Sequence, residues 1–359
     1  MNIKVNDLVP LIERLKYEQR PIVLYGMGNG ADKIIALCEE NGIQISGVFA
    51  SDGFAKKKLF HNMPVTTYAE VKNEFGDDLT VLLAFATSRP EVLENIYRIA
   101  AENPLLAPDV PAYGNNVFNL DFYTENLPQI EDAYNLLSDD RSKQLYEDII
   151  KYKLTGDIKH LKEVDDERDY MQNIIYSSKI QTFIDAGAYR GDTARRQMEY
   201  SKNLKKIIAI EPDPKTYNKL CIEFEDEDSI EFFPHNVGLG SKDEVLPFLG
   251  DGGRGGSSAV SHGTKFVRFT TLDSIVNGER IDYIKYDVEG FEYDALLGSA
   301  ETIKNSRPQM LVSLYHRSED IFKLPLTVKK LYPDCKMYLR RLAGIPAWDI
   351  NLLVIPNEL

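Results

Sequence analysis

Residues 182–193 read Thr-Phe-Ile-Asp-Ala-Gly-Ala-Tyr-Arg-Gly-Asp-Thr. An apolar run ends in Asp185, turns at Gly187 and passes through Gly191 into a segment of helical character. Strand, glycine turn and helix in that order are the repeating unit of an open α/β sheet, and no other stretch restricts the fold as much. The turn brings backbone N–H groups and a helix N-terminus up to a ligand, because glycine has no side chain to hold it off. The spacing is Asp-x-Gly-x-x-x-Gly rather than Gly-x-Gly-x-x-Gly, and no lysine follows Gly191, so the loop is not a phosphate cradle of the ATPase kind. A second apolar run (207–210) ends in Glu211. An acid at that strand tip suits the two hydroxyl donors of a ribose. The ligand so described carries an adenosine and a compact, non-phosphate tail. S-adenosylmethionine fits.

The rest of the chain supports a doubly wound sheet. Beyond residue 180, strands are expected at 181–186, 206–211, 230–238, 281–287, 309–315, 335–341 and 350–355, the last two forming an antiparallel hairpin through Gly344 and Pro346. Upstream, strands at 21–27, 45–50 and 80–86 alternate with a helix at 30–41 and another to about 102, which Ser88 and Glu91 open with capping-box spacing. Between these regions, Leu136, Leu137, Leu145, Ile149, Ile150 and Leu154 recur at helical spacing. The expected organisation is a small Rossmann-like unit over 1–115, a helical connector over 116–180 that packs on the second domain, and a Rossmann-like α/β sheet domain over 181–359. Gly26-Met-Gly28-Asn-Gly30-Ala31 has the form of a dinucleotide turn, but the following strand lacks an acid at its tip and Asp52 comes late. The first unit therefore either binds a nucleotide or nucleotide-sugar, or serves substrate presentation and assembly. A nicotinamide dehydrogenase is disfavoured, because no paired catalytic constellation accompanies the turn.

Charges mark the expected mouth of the second sheet. Asp185 is placed to hold its turn and face the cationic end of the cofactor, or to cap local backbone. Lys285, Asp287 and Glu289 alternate with Tyr286 and Val288, so the three charges share one face of a strand. A central parallel strand is covered on both faces, so these groups must be paired or lie beside a polar ligand. Asn236, late in the third strand, is expected to hydrogen-bond the adenine or to form a turn. His316 ends the fifth strand at the same mouth; an ordinary imidazole there accepts a hydroxyl proton near neutral pH, with Asp287 and Glu289 as competing bases. No two-His or cysteine-cluster spacing points to a metal and methyl transfer itself needs none, although Asp287 and Glu289 could together gather a divalent cation. The run Gly250 to Ser258 has the composition of a lid, with Arg254 and Ser258 as its contacts.

Four blocks in order, Asp185 to Asp192, Ile-Glu-Pro-Asp-Pro (210–214), Thr-Leu-Asp (271–273) and Ile-Asp-Tyr-Ile-Lys-Tyr-Asp-Val-Glu-Gly-Phe-Glu (281–292), resemble the FkbM-type methyltransferases. So does the tail Ser-Leu-Tyr-His (313–316) with Glu319-Asp320, although many members carry a Glu at the place of Ser313. The resemblance implies an S-adenosylmethionine-dependent O-methyltransferase acting on a sugar or secondary-metabolite-like hydroxyl. The implied cofactor contacts are Asp185, Gly187, Tyr189, Gly191, Asp192, Thr193, Glu211, Pro212, Asn236, Val237 and Asp287, and the catalytic candidates are His316, Asp287 and Glu289. The rival reading is a nucleotide-sugar-binding or scaffolding protein with a vestigial methyltransferase domain.

Composition narrows the partners. The formal net charge is −14, which disfavours nucleic acid and anionic lipid as bulk partners. Cys38, Cys221 and Cys335 are dispersed, as in a reducing compartment, and neither a leader-like apolar core nor a spanning run is seen. A cytoplasmic enzyme with a small-molecule or glycan hydroxyl acceptor is expected, and a homo-oligomer is compatible with this surface.

Overall fold

The computed structural model describes the chain apart from residues 2, 52–54, 56, 57, 115, 250–257 and 260–264. Arg254, and all of the expected lid except Ser258, lie outside the described residues, as does Asp52.

The first sheet contains β1 (Ile22–Tyr25), β2 (Gly47–Phe49), β3 (Leu59–Phe60), β4 (Met63–Thr66), β5 (Thr80–Leu83) and β6 (Leu105–Leu106), in the order β3-β4-β2-β1-β5-β6. β1 and β5 are buried at every position, as strands covered on both faces must be. The glycine turn at 26–30 leads into the helix Asn29–Glu40. The capping box expected at Ser88 does not form. That helix runs Pro90–Glu102 with Arg89 as its cap and no side-chain bond. Pro90, preset for the first helical position, moves the start past Ser88. A capping box does open the helix Tyr68–Phe75, between Thr67 and Glu70. β5 also stops at Leu83, short of the expected residue 86.

The second large sheet has β7 (Thr182–Ala186), β8 (Lys206–Ile210), β9 (Glu231–His235), β14 (Tyr283–Tyr286), β15 (Gln309–Ser313), β16 (Cys335–Arg341) and β17 (Ile350–Pro356), in the order β16-β17-β15-β14-β7-β8-β9. The seven strands are those expected, and β17 inserts antiparallel between β15 and β16. The order reverses between β7 and β14, so the crevice at their carboxyl ends is where an open α/β sheet takes its ligand. An additional four-stranded sheet had not been expected: β10 (Gly238–Leu239), β11 (Glu244–Leu249), β12 (Ser258–Ala259) and β13 (Lys265–Thr270). β10 takes Gly238 from the third strand read in the sequence. The inward face of the small sheet carries Phe248, Val267 and Phe269, which pack with Phe291.

The connector is helical, over Leu120–Asn135 and Asp140–Thr155. Ser142 Oγ accepts the amide N–H of Leu339 on β16 at 2.8 Å, and Asp139 pairs with Arg340 at 2.7 Å. At its far end, the amide of Ala107 donates to Gly156 O at 2.7 Å, next to β6. The second connector helix thus ties the edge of one sheet to the edge of the other. One apolar core runs from Val23 and Val81 through Ile149 and Ile150 to Ile284 and Val354. No helix among the described residues is long and apolar enough to cross a membrane.

Ile150, fully buried in that shared core, gives a test. Ile150→Ala should destabilise the whole chain by ~2–5 kcal/mol. Urea unfolding followed by far-UV circular dichroism and by the fluorescence of Trp348 should give one coincident transition. Two separated transitions would mean that the sheets have independent cores.

Candidate active site

At the end of β7 the chain must pass very close to the end of β14. A Cβ on Gly187 (φ +83°) would lie 1.8 Å from Asp287 O, so glycine is the residue that the turn admits. The amides of Gly187 and Ala188 both donate to Ile210 O at 3.0 Å. The next amide, Tyr189, donates to Glu211 Oε2 at 3.0 Å, while Asp213 N–H donates to Glu211 Oε1 at 2.8 Å. Glu211 therefore braces the glycine turn from the tip of β8. It is 6% exposed and faces the cavity. Burial pushes its carboxyl up to about 7 despite the two N–H donors. Each of its oxygens accepts one backbone N–H, and the carboxyl still faces the cavity.

Two expected contacts are redirected. The Asn236 amide donates to the carbonyls of Glu211 (2.9 Å) and Pro212 (3.1 Å). β9 has already ended at His235, so Asn236 secures the acidic turn, while Pro212, Val237 and Leu239 line the cavity. Asp185 is fully buried and does not line the cavity. The β7–β14 register sets it beside Lys285, and the two are paired at 3.5 Å. Lys285 also reaches Asp287 at 3.3 Å, so the pairing required of a charge on a central strand is met by two acids, one on either side of the ammonium. Burial opposes charge on all three groups. Asp185, with the ammonium at longer range, is pushed up to about 6. For Asp287 the penalty is outweighed by Lys285, by His316 and by the Tyr315 hydroxyl, which donates to Oδ1 at 2.9 Å; the carboxyl is held at about 2. The same two carboxylates hold the Lys285 ammonium above its ordinary range despite burial. The acid facing the cavity is thus the one kept ionised.

His316 departs most from expectation. It is 2% exposed, with Nδ1 2.9 Å from Glu292 Oε1 and Nε2 3.5 Å from Glu289 Oε2 and 3.6 Å from Asp287 Oδ1. Burial disfavours the charged ring, but Glu292, Glu289 and Asp287 together overcome it and hold the imidazole at about 10. The surroundings therefore favour the imidazolium at neutral pH, a form with no lone pair for a substrate proton. The expected neutral imidazole base is not what this environment favours. Glu292, which in the sequence carries no signal beyond that of a helix-start acid, fixes the ring from behind. Its oxygens also accept the amides of Val288 (2.8 Å) and Gly290 (3.1 Å). Glu289 faces the same cavity, and burial pushes its carboxyl up against the opposing charge of His316.

Residues 185–342 match the family model described as the methyltransferase FkbM domain. These residues form an FkbM-type methyltransferase domain. The solved structure of methyltransferase FkbM from Methylobacillus flagellatus KT is similar at 19% identity, over 96% of this chain and 92% of that one, with a TM-score of 0.70. The likeness in fold therefore extends over the first sheet as well. Fibrillarin from Aeropyrum pernix, solved with natively bound S-adenosyl-L-methionine, is a more distant likeness: 12% identity, 50% of this chain, 67% of that one, and a TM-score of 0.33. No curated protein matches the chain.

The cavity of the FkbM domain, about 810 Å³, is in the upper part of the range for small-molecule sites. The glycine-turn residues Gly187, Tyr189, Asp192 and Thr193 line it, whereas Gly191 caps the helix Asp192–Tyr200 behind them. Glu167 of the connector also lines it and pairs with Arg196 at 3.0 Å. The far wall comes partly from the first sheet, through Ala86, Thr87, Ser88, Arg89 and Ala112. Thr87 and Ile345 exchange backbone hydrogen bonds at 2.9 and 3.0 Å, which joins that wall to the loop before β17. Trp348 projects from this loop, 38% exposed, and stacks on Tyr315 at 6.2 Å. No local pattern marks residues 86–89 as site residues, because the bridge that places them joins distant parts of the chain.

The imidazolium makes a prediction on pH. The folded value of His316 lies above its ordinary one, so its contribution to stability is complete below about 6.5 and lost as pH rises through about 10. The stability difference between the wild type and His316→Gln should shrink across that window. A ring-proton NMR titration should place the His316 midpoint far above 7. A midpoint near 6.5 would restore the neutral base.

Proposed function

We propose that this protein binds S-adenosylmethionine and transfers its methyl group to a hydroxyl oxygen of a sugar or secondary-metabolite-like acceptor. One observation carries the reading: Glu211 and the Asp287–Glu289 pair open into one cavity from strand ends on either side of the sheet's switch point. Glu211, desolvated and facing the cavity, fits the two ribose hydroxyls as further donors. Pro212 and Val237 provide the apolar edge for the adenine. Asp287, held ionised, is the counter-charge for a cation beside it. Bound there, the cofactor supplies an activated methyl group on a positively charged sulfur.

The chain's own groups then have separate tasks. Trp348 and Tyr315 form an aromatic ledge leading to Asp287, with Thr87 and Ser88 in the other part of the wall. A ring bearing hydroxyls can lie on such a ledge with its oxygen directed inward. For O-methylation, a C–O bond forms as the C–S bond breaks, its electron pair stays on sulfur, and the hydroxyl proton goes to a base. Glu289 suits that role, since burial raises its affinity for a proton and it faces the cavity. The His316 imidazolium steadies both carboxylates and keeps Asp287 from competing for the proton. The net charge of −14 supports a small acceptor over nucleic acid, and the free cysteines fit work in the cytoplasm.

Glu211→Gln should weaken S-adenosylmethionine binding by ~1.5–3 kcal/mol in calorimetric titration, the worth of charge-assisted hydrogen bonds. The ribose hydroxyls favour the ionised acid, so wild-type affinity should fall as pH drops below about 7. An affinity independent of both changes would remove the ribose assignment. With radiolabelled methyl donor and a panel of hydroxylated acceptors, Glu289→Gln should lower transfer by ~10²–10⁴-fold while retaining cofactor affinity. Full transfer by that variant would exclude Glu289 as the base.

A further inference from the structure

Glu289 holds a left-handed backbone (φ +55°), which a non-glycine residue keeps only where its surroundings impose it. Part of those surroundings comes from outside the methyltransferase match. Residues 111–113, which follow the first sheet, cross the catalytic mouth. Lys33, on the helix after the first glycine turn, donates through Nζ to Pro111 O at 2.7 Å and to Ala112 O at 2.8 Å. The next residue, Tyr113, donates its amide to His316 O at 3.0 Å and its hydroxyl to Glu289 Oε2 at 2.8 Å. Its ring lies against Gly290, where a Cβ would meet ring atoms at 3.0 Å.

We propose that Tyr113 is a positioning residue for methyl transfer: its hydroxyl holds the Glu289 carboxylate toward the acceptor, and Lys33 holds Tyr113 in place. The inference rests on the reading of Glu289 as the proton acceptor. It makes the first sheet unit a part of the catalytic site, through two contacts that begin on a helix of a different sheet. It also gives that unit a task in the reaction that requires no nucleotide of its own.

Glu289 is surrounded by His316, Asp287, Glu292 and Glu211, in addition to Tyr113. Among these, the Tyr113 hydroxyl is a neutral donor that favours the ionised carboxylate. Its removal leaves the charges in place and moves proton uptake by Glu289 to higher pH.

The test uses the full chain labelled with ¹³C at the glutamate carboxyl carbons, the Glu289 signal being identified by its absence in Glu289→Gln. Tyr113→Phe should raise the Glu289 midpoint by about half a pH unit or more, with melting temperature and S-adenosylmethionine affinity unchanged. Lys33→Met should raise it in the wild type and have no further effect in the Tyr113→Phe background, as expected for two groups acting through one contact. An unchanged midpoint in Tyr113→Phe, or a Lys33→Met effect that persists undiminished without the hydroxyl, would overturn the proposal. Should Tyr113→Phe not fold, Lys33→Met alone decides by the same midpoint. Failure of the wild type to bind S-adenosylmethionine would instead remove the cofactor reading and leave the Tyr113–Glu289 coupling as measured.

Discussion

The Lys285 ammonium, buried at the centre of the larger sheet between Asp185 and Asp287, is the charge around which the site is arranged. An isolated ammonium would not remain charged at that depth. Two acids on adjoining strands make it tolerable, and they do so unequally. Asp185 is consumed as an internal counter-ion, while Asp287 keeps one side toward the cavity. A sheet opened at its switch point thereby presents a carboxylate that Lys285 and His316 hold well below the usual carboxylate range. Replacing Lys285 with a neutral side chain would leave Asp185 sealed in the sheet without its counter-charge.

A second charge set is stacked on the first. His316 sits among Asp287, Glu289 and Glu292, and the balance of burial against three carboxylates favours the imidazolium. The mouth of the sheet is thus a small ionic lattice with alternating signs, Asp185, Lys285, Asp287, His316 and then Glu292. Proton affinity is distributed over it unevenly. Burial raises Asp185, Glu211 and Glu289, whereas Asp287, the acid next to both cations, is lowered. Separation of roles among chemically identical carboxylates arises from which neighbours each one has.

The first sheet takes part through packing as well as through contacts at the mouth. One apolar core passes from it through the connector helices into the methyltransferase sheet. The backbone bridge between Thr87 and Ile345 and the Lys33–Tyr113 contacts then fix its edge against the cavity. A rigid shared core is what allows a hydroxyl donated from residue 113 to be held within hydrogen-bond distance of residue 289.

Local sequence was enough to dictate the doubly wound sheet, its seven strands, the glycine turn at Gly187 and the acid tips at Glu211 and Asp287. These patterns are legible because strand period, turn chemistry and strand-end position act over a few residues. They did not disclose the small sheet, whose short strands flank a glycine-rich run that reads as loop. They left Asn236 between a ligand contact and a turn, and the end of β9 at His235 turned its amide to the carbonyls of Glu211 and Pro212. Which acid faces the cavity and which is sealed beneath it was settled in three dimensions, since that follows from the register of β7 against β14. The protonation of His316 was settled there too, because it depends on three carboxylates converging on one ring and on the exclusion of water. Tertiary packing likewise brought Tyr113, Lys33 and residues 86–89 to the site. Electrostatic and hydrogen-bond energies depend on distance in space, and no spacing along the chain carries that distance.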